Sequence, residues 1–194
     1  MGSMVGSHRD LPWPPDRIEL DDGAFVRLYV PGDAHMIFET VDLERERLRP
    51  WLPWVDATTD PSDTQAFIEA TIGTDGREFA YGIFAADGFA GGIGLHTDRA
   101  NRSAMLGYWI DAEHEGQGLV TDASRALTDA AFRDLGMHRV WLSADPQNTR
   151  SCAVAERLGF RLEGVHRGDS FTDGRFRDTA IYAILEDEWP SSRD

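Results

Sequence analysis

A single cysteine, Cys152, is all the thiol chemistry in this chain of 194 residues. It excludes an internal disulfide and fits a reducing, cytoplasmic setting. Basic residues are scarce, 19 against 34 acidic ones, for a net charge of −15. That balance argues against general nucleic-acid binding and favours cationic substrates. Plain solubility is the competing reason for such an excess of acid. No apolar run approaches the roughly 20 residues that cross a bilayer, so no membrane partner is expected. A charged-then-apolar leader is missing as well, which predicts a protein that is not exported. His35, His96, His114, His138 and His166 show no metal-ligand spacing and there is no cysteine pair, so no metal is expected.

What is present is an ordinary globular composition, 41% hydrophobic, with enough chain for one α/β domain. Residues 1–16, rich in Gly, Ser and Pro, read as a flexible tail, and 17–194 as a single domain. Arg17–Leu20 and Ala24–Val30 read as two strands around a tight turn. Asp33 is the expected N-cap of a helix carrying Met36, Ile37, Val41 and Leu48 on one side and Glu39, Asp42, Glu44 and Glu46 on the other. Pro50 and Pro53 stiffen a loop that holds Trp51 and Trp54. A helix over 61–72, capped near Asp60 or Ser62, and a hairpin turning at Asp87-Gly88 follow. Two more strands, 160–165 and 176–185, close the chain. Strand runs mixed with helices around one crossover predict a mixed, mostly antiparallel sheet flanked by helices.

The central stretch is more specific. Leu106-Gly-Tyr-Trp-Ile110 is a short apolar strand pattern. Glu115-Gly-Gln-Gly-Leu-Val120 is a glycine turn, and the 121–134 stretch carries Ala123, Ala126, Leu127, Ala130 and Ala131 on one helix face. Glycines remove the Cβ atoms above the backbone, and a helix that starts there offers unpaired N–H groups and the positive end of its dipole. That combination is an anion site suited to a phosphate or pyrophosphate. No Lys-Ser/Thr follows the glycines and no Gly-x-Gly-x-x-Gly is present, so neither a nucleotide-hydrolysing loop nor a dinucleotide fingerprint applies. The 138–143 strand, the Asp145–Ser151 loop and a 151–158 helix ending at Gly159-Phe160 complete the unit.

This order resembles the acyl-CoA-binding core of the GNAT N-acetyltransferase superfamily. Asn148 with Ser151, Leu158-Gly159-Phe160 and Glu163-Gly164 resemble its RimJ/RimL branch, which acetylates protein N-termini. The resemblance implies the GNAT fold, an α/β (α+β) fold with a parallel splayed pair of strands. It also implies acetyl-CoA as cofactor, an amine acceptor such as a ribosomal protein N-terminus, and a homodimer. Glu115, Gly116, Gln117, Gly118, Leu119, Val120 and Thr121 then take the cofactor pyrophosphate. The family pattern has Arg or Gln where Glu115 stands and Gly or Ala where Val120 stands; Glu115 sets a negative charge beside the phosphates. Trp109 or Ile110 supplies a backbone N–H to the thioester carbonyl.

Acetyl transfer to an amine needs no acylated side chain, because the substrate amine is the nucleophile. Positioning, charge stabilisation and proton handling remain. The resemblance assigns Asn148 a hydrogen bond to the pantetheine amides and lets Ser151 donate to the departing thiolate; both residue types also serve as local helix-start bonds. Trp51 and Trp54 either wall the acceptor site or plug the core. Candidate bases are Glu163, Asp169, Glu39 and Glu44, with water-mediated transfer as a further option; Glu39 and Glu44 also fall on the expected acceptor side. Cys152 reads as an inert packed thiol, and Arg167, Arg175 and Arg177 as members of surface pairs. Two other assignments stay open at this point: acetylation of a small amine such as a polyamine or amino sugar, and a CoA-binding module without turnover.

Overall fold

Alternation of apolar side chains builds most of the sheet. On β3 (Glu78–Ala85), Phe79, Tyr81 and Ile83 point to one face and Ala80 to the other, as period-two geometry requires. The eight strands run β1 (Arg17–Glu19), β2 (Phe25–Leu28), β3, β4 (Gly88–Asp98), β5 (Ser103–Ile110), β6 (Arg139–Ala144), β7 (Arg161–Thr172) and β8 (Arg175–Leu185). Their order across the sheet is β1-β2-β3-β4-β5-β6-β8-β7. Each described pairing is antiparallel except β5 with β6. The computed structural model describes residues 13–190 apart from 75 and 173.

One face is covered by α4 (Leu119–Arg133) and α5 (Thr149–Arg157). Ala123, Leu127, Ala130 and Ala131 of α4 have no exposed surface; they pack with Leu106, Val140, Leu142 and Ala155. The other face carries α1 (Ala34–Leu43), α2 (Arg45–Leu48) and α3 (Pro61–Ile72), whose Ile37, Val41, Leu48 and Ile68 meet Tyr29, Phe89 and Trp109. Asp60 caps α3, with Pro61 at its first position and Asp63 returning the bond to the cap backbone.

Three expectations change. Residues 1–12 lie outside the described residues, but 13–16, read as tail, lie on the sheet. Trp13 meets Phe79 edge-on with centroids 4.9 Å apart, and the Pro15 carbonyl accepts from the Tyr81 hydroxyl at 2.9 Å. Asp33 precedes α1 but makes no cap bond. Its carboxylate takes both Arg27 nitrogens at 2.7 Å and the Val30 N–H at 2.8 Å, tying β2 to the helix entrance. The final hairpin is also longer than its apolar pattern, because β7 is an edge strand and needs little burial to pair.

Candidate active site

The parallel pair opens a cleft in the sheet. β5 and β6 pair only at Ser103–Arg139, Ala104–Val140 and Met105–Trp141, yet β5 continues to Ile110 and β6 to Ala144. The diverging ends, Leu106–Ile110 and Leu142–Ala144, line a cleft of about 1110 Å³. Strand alternation decides which amides face it. The Asp111 N–H bonds to Ala90 on β4, so odd-numbered residues turn their main-chain groups towards β4 and even-numbered ones towards the gap. The Trp109 carbonyl accordingly lies 2.3 Å from where a Gly91 Cβ would stand. Of the two candidate oxyanion donors, Ile110 therefore faces the opening and Trp109 faces β4. The Trp109 indole packs instead between Phe89 and Trp54, at centroid distances of 5.8 and 6.4 Å.

The glycine turn stands at the mouth of this gap. Gly116 and Gly118 have φ of +76° and +89°, a region costly for residues with a Cβ. A Cβ at Gly116 would meet nothing within 4 Å, so the space above it is open. Gly118 caps α4 without any side-chain bond, and the first bond inside the helix is Asp122 N–H to the Gly118 carbonyl. The N–H groups of Leu119, Val120 and Thr121 precede that bond and have no helical acceptor. Thr121 Oγ1 accepts from Arg157 at 2.7 Å. Gly116 to Thr121 all line the cleft. These residues fit a diphosphate, whose oxygens are the acceptors that such amides lack.

Glu115 is not a bare charge beside that site. Its carboxylate accepts from Arg47 of α2 at 2.6 Å and from Arg150 at the start of α5. Arg47 also bonds the Ile110 carbonyl and Glu44. The whole chain contains no lysine, and each of these cations is a guanidinium, whose planar fork suits a carboxylate. Arg47 and Arg150 together balance Glu115 and Glu44, so Glu115 does not stand beside the turn as an unpaired anion. Sequence reading missed this because the partners lie 68 and 35 residues away.

Across the gap, the Asn148 carboxamide oxygen accepts the Ser151 N–H at 3.2 Å, capping α5. Ser151 Oγ lies 2.9 Å from the Tyr108 hydroxyl, which also approaches the Ser151 carbonyl at 3.2 Å. Burial pushes the Tyr108 phenol up to about 12, so it stays protonated and can donate. Tyr108 was read only as a core strand residue; its hydroxyl reaches the cleft because β5 leaves β6 there.

His114 is a further residue that the sequence did not single out. Its Nδ1 lies 2.7 Å from Asp111 and its Nε2 3.0 Å from Asp87, and the ring lines the cleft. Burial pulls its pKa down, but the bonds to Asp87 and Asp111 outweigh that and the net shift is upward. The imidazole thereby ties the β3–β4 turn to the segment that leads into the glycine turn.

The proposed bases fall elsewhere. Glu163 is held bidentately by Arg139 at 2.6 Å, and that arginine holds its carboxyl below the usual range. Arg139 pairs with Ser103, at the closed end of the strand pair, so Glu163 is held in an ion pair there and does not line the cleft. Glu39 pairs with His35 on the exposed side of α1, Glu44 with Arg47, and Asp169 with His166; none of the three lines the cleft. Trp51 does line it, while Trp54 backs Trp109. Arg177, read as a surface residue, is 7% exposed and pairs with Asp145 at 2.9 Å.

Comparison with known proteins agrees with this architecture. The acetyltransferase (GNAT) domain pattern matches residues 25–161. The putative ribosomal N-acetyltransferase YdaF of Bacillus subtilis (strain 168) is 34% identical over 175 residues, spanning 87% of this chain and 94% of that protein. The [ribosomal protein uS5]-alanine N-acetyltransferase of Escherichia coli (strain K12) is 29% identical, spanning 89% and 92%. Mycobacterium smegmatis RimJ, solved in complex with CoA-disulfide, superposes with a TM-score of 0.83 at 28% identity, covering 94% of this chain and 93% of its own. The fold, with its sheet parted between β5 and β6, is thus like that of RimJ, and the chain belongs to the GNAT acetyltransferase family.

Proposed function

We propose that this acetyltransferase moves an acetyl group from acetyl-CoA to the α-amine of a peptide or protein N-terminus, with a ribosomal protein as the leading acceptor. Acetyl-CoA supplies an activated acetyl group and a thiol as leaving group. The amides of residues 116–121 hold its diphosphate, with Arg47 and Arg150 offsetting Glu115. The gap between β5 and β6 takes the pantetheine arm, and the Asn148 amide nitrogen remains available to it while the oxygen caps α5. The Ile110 N–H is placed to face the thioester carbonyl. Ser151, backed by the protonated Tyr108, offers a proton to the departing sulfur, and the proton shed by the acylated nitrogen returns through water to the hydroxyl pair; a thiol with a pKa near ~8.5 needs only modest help.

The observation that supports an α-amine over a lysine is the pairing of the candidate carboxylates. Glu163, Glu39, Glu44 and Asp169 are all engaged away from the cleft. An acceptor with an appreciable neutral fraction suits such a site. An α-amine with a pKa near ~8 supplies one far more readily than a lysine near ~10.4. The Escherichia coli relative is by name a [ribosomal protein uS5]-alanine N-acetyltransferase, which supports the same acceptor. One domain, with residues 13–16 packed on its sheet, carries the reaction, in the cytoplasm. The exposed Leu162, Val165, Phe171 and Phe176 of the β7–β8 hairpin give a homodimer a face to use. Mass spectrometry of peptides with a free or a blocked α-amine, each containing one lysine, tests the reading. Acetyl is expected only on the free α-amine. Acetylation of lysine alone, or of polyamines but no peptide, overturns it.

A further inference from the structure

Arg177 of β8 is the cationic group of the cleft wall that cofactor binding leaves without a task. Its side chain is 5% exposed, and Nη1 donates to Asp145 Oδ2 at 2.9 Å, a carboxylate itself 12% exposed. Nε is buried with no hydrogen-bond partner. Nε and Nη2 share the side edge of a guanidinium, so Asp145 engages Nη1 and leaves the buried Nε of that edge without an acceptor among the described residues. A donor buried in this way costs stability unless something fills it.

The surroundings say what fills it. The Trp51 ring lies 5.3 Å from the guanidinium carbon, and Trp51, Arg177 and Asp145 all line the cleft. The guanidinium charge is already balanced by Asp145, and Asp178 adds another negative group to the same wall. The edge therefore lacks an oxygen, not a counter-charge. A neutral carbonyl meets that need, whereas a carboxylate would bring a second anion against Asp145. The indole beside it keeps water away and strengthens a hydrogen bond made there.

We propose that Arg177 is a specificity-determining residue that reads the acceptor, donating from its free edge to a main-chain carbonyl close behind the amine to be acetylated. This rests on the peptide reading above and deepens it. A peptide offers such an oxygen and a polyamine offers none, so the contact sorts the two classes of amine.

The experiment compares a good peptide acceptor with two isosteres, in which the first or the second peptide bond is replaced by a trans-alkene. Each is assayed with wild type, Arg177→Met and Arg177→Lys. Wild type is expected to favour the natural peptide over one isostere by about tenfold in kcat/KM, the value of one charge-assisted hydrogen bond. Both variants are expected to bring that ratio close to one. Arg177→Lys keeps a cation for Asp145 but has no side edge, so it decides the matter if the Met variant does not fold. A wild-type ratio near one for both isosteres, or a preference that survives in Arg177→Lys, overturns the proposal while peptide acetylation stands. Wild type that acetylates no peptide at all defeats the underlying reading instead, and shows it before any variant is made.

Discussion

The two banks of the cleft are built from different materials. The cofactor bank, from Glu115 to Thr121, works mainly through main-chain groups: glycines at φ of +76° and +89° and a helix start without a side-chain cap. The opposite bank works through side chains brought from distant segments. Trp51 comes from the loop after α2, Asp145 from the end of β6, and Arg177 from β8. A backbone site depends on local conformation and tolerates varied sequence around it. A side-chain bank depends on pairs, and one altered member leaves the other stranded in the wall.

That contrast predicts separable failures. The largest is expected at Gly118. Gly118→Asp forces a side chain into a left-handed conformation and sets a carboxylate where the phosphates bind. CoA affinity by calorimetry is expected to fall by about a hundredfold or more, as some 3 kcal/mol lost in strain and repulsion implies. Next is Asp145→Ala on the other bank. It leaves Arg177 buried without its anion, and denaturant unfolding is expected to show a loss of about 3 kcal/mol. The first variant is expected to lose cofactor affinity more than stability, and the second to lose stability while its folded form keeps cofactor affinity; equal damage to both properties in either variant breaks the contrast.

Ser151→Ala and Tyr108→Phe are expected to lower turnover by about tenfold each, the scale of one modest proton donor, while the KM for acetyl-CoA stays close to wild type. A double variant no slower than either single one shows that the two hydroxyls act as a unit. Glu115→Gln is expected to tighten CoA binding by roughly threefold at low salt, because Arg47 and Arg150 lose a competing anion, and the gain should fade at high salt. The smallest effect concerns His114. Its pKa is raised in the fold, so its stabilising contribution is complete below the unfolded value near ~6.5 and is lost as pH rises through the higher folded value. Melting temperatures of wild type and His114→Gln should therefore converge as pH rises from about 6 to 9.

The same contrast explains what the sequence could and could not announce. The strand, glycine turn and helix over Leu106–Arg133 are contiguous, and their periodicities name them. The gap between β5 and β6 follows from the family resemblance, and the register shows it as three pairs followed by divergence. Glu115 seemed a liability because Arg47 and Arg150 are remote in sequence. Glu163 seemed available as a base because nothing local announces Arg139 across β8. Arg177 reads as surface in a charged Arg175-Phe-Arg177 segment; only the third dimension brings Asp145 to it. His114 is flanked by Glu113 and Glu115 in sequence, yet its partners are Asp111 and Asp87, the latter 27 residues away. Local backbone sites can be found by pattern, whereas tertiary side-chain pairs cannot.

The most direct test is a crystal structure with CoA bound. The account expects diphosphate oxygens within about 3 Å of the N–H groups of residues 116–121 and the pantetheine arm between Tyr108–Ile110 and Leu142–Ala144. A coenzyme seated elsewhere, with the Gly116–Gly118 turn facing solvent, would contradict it.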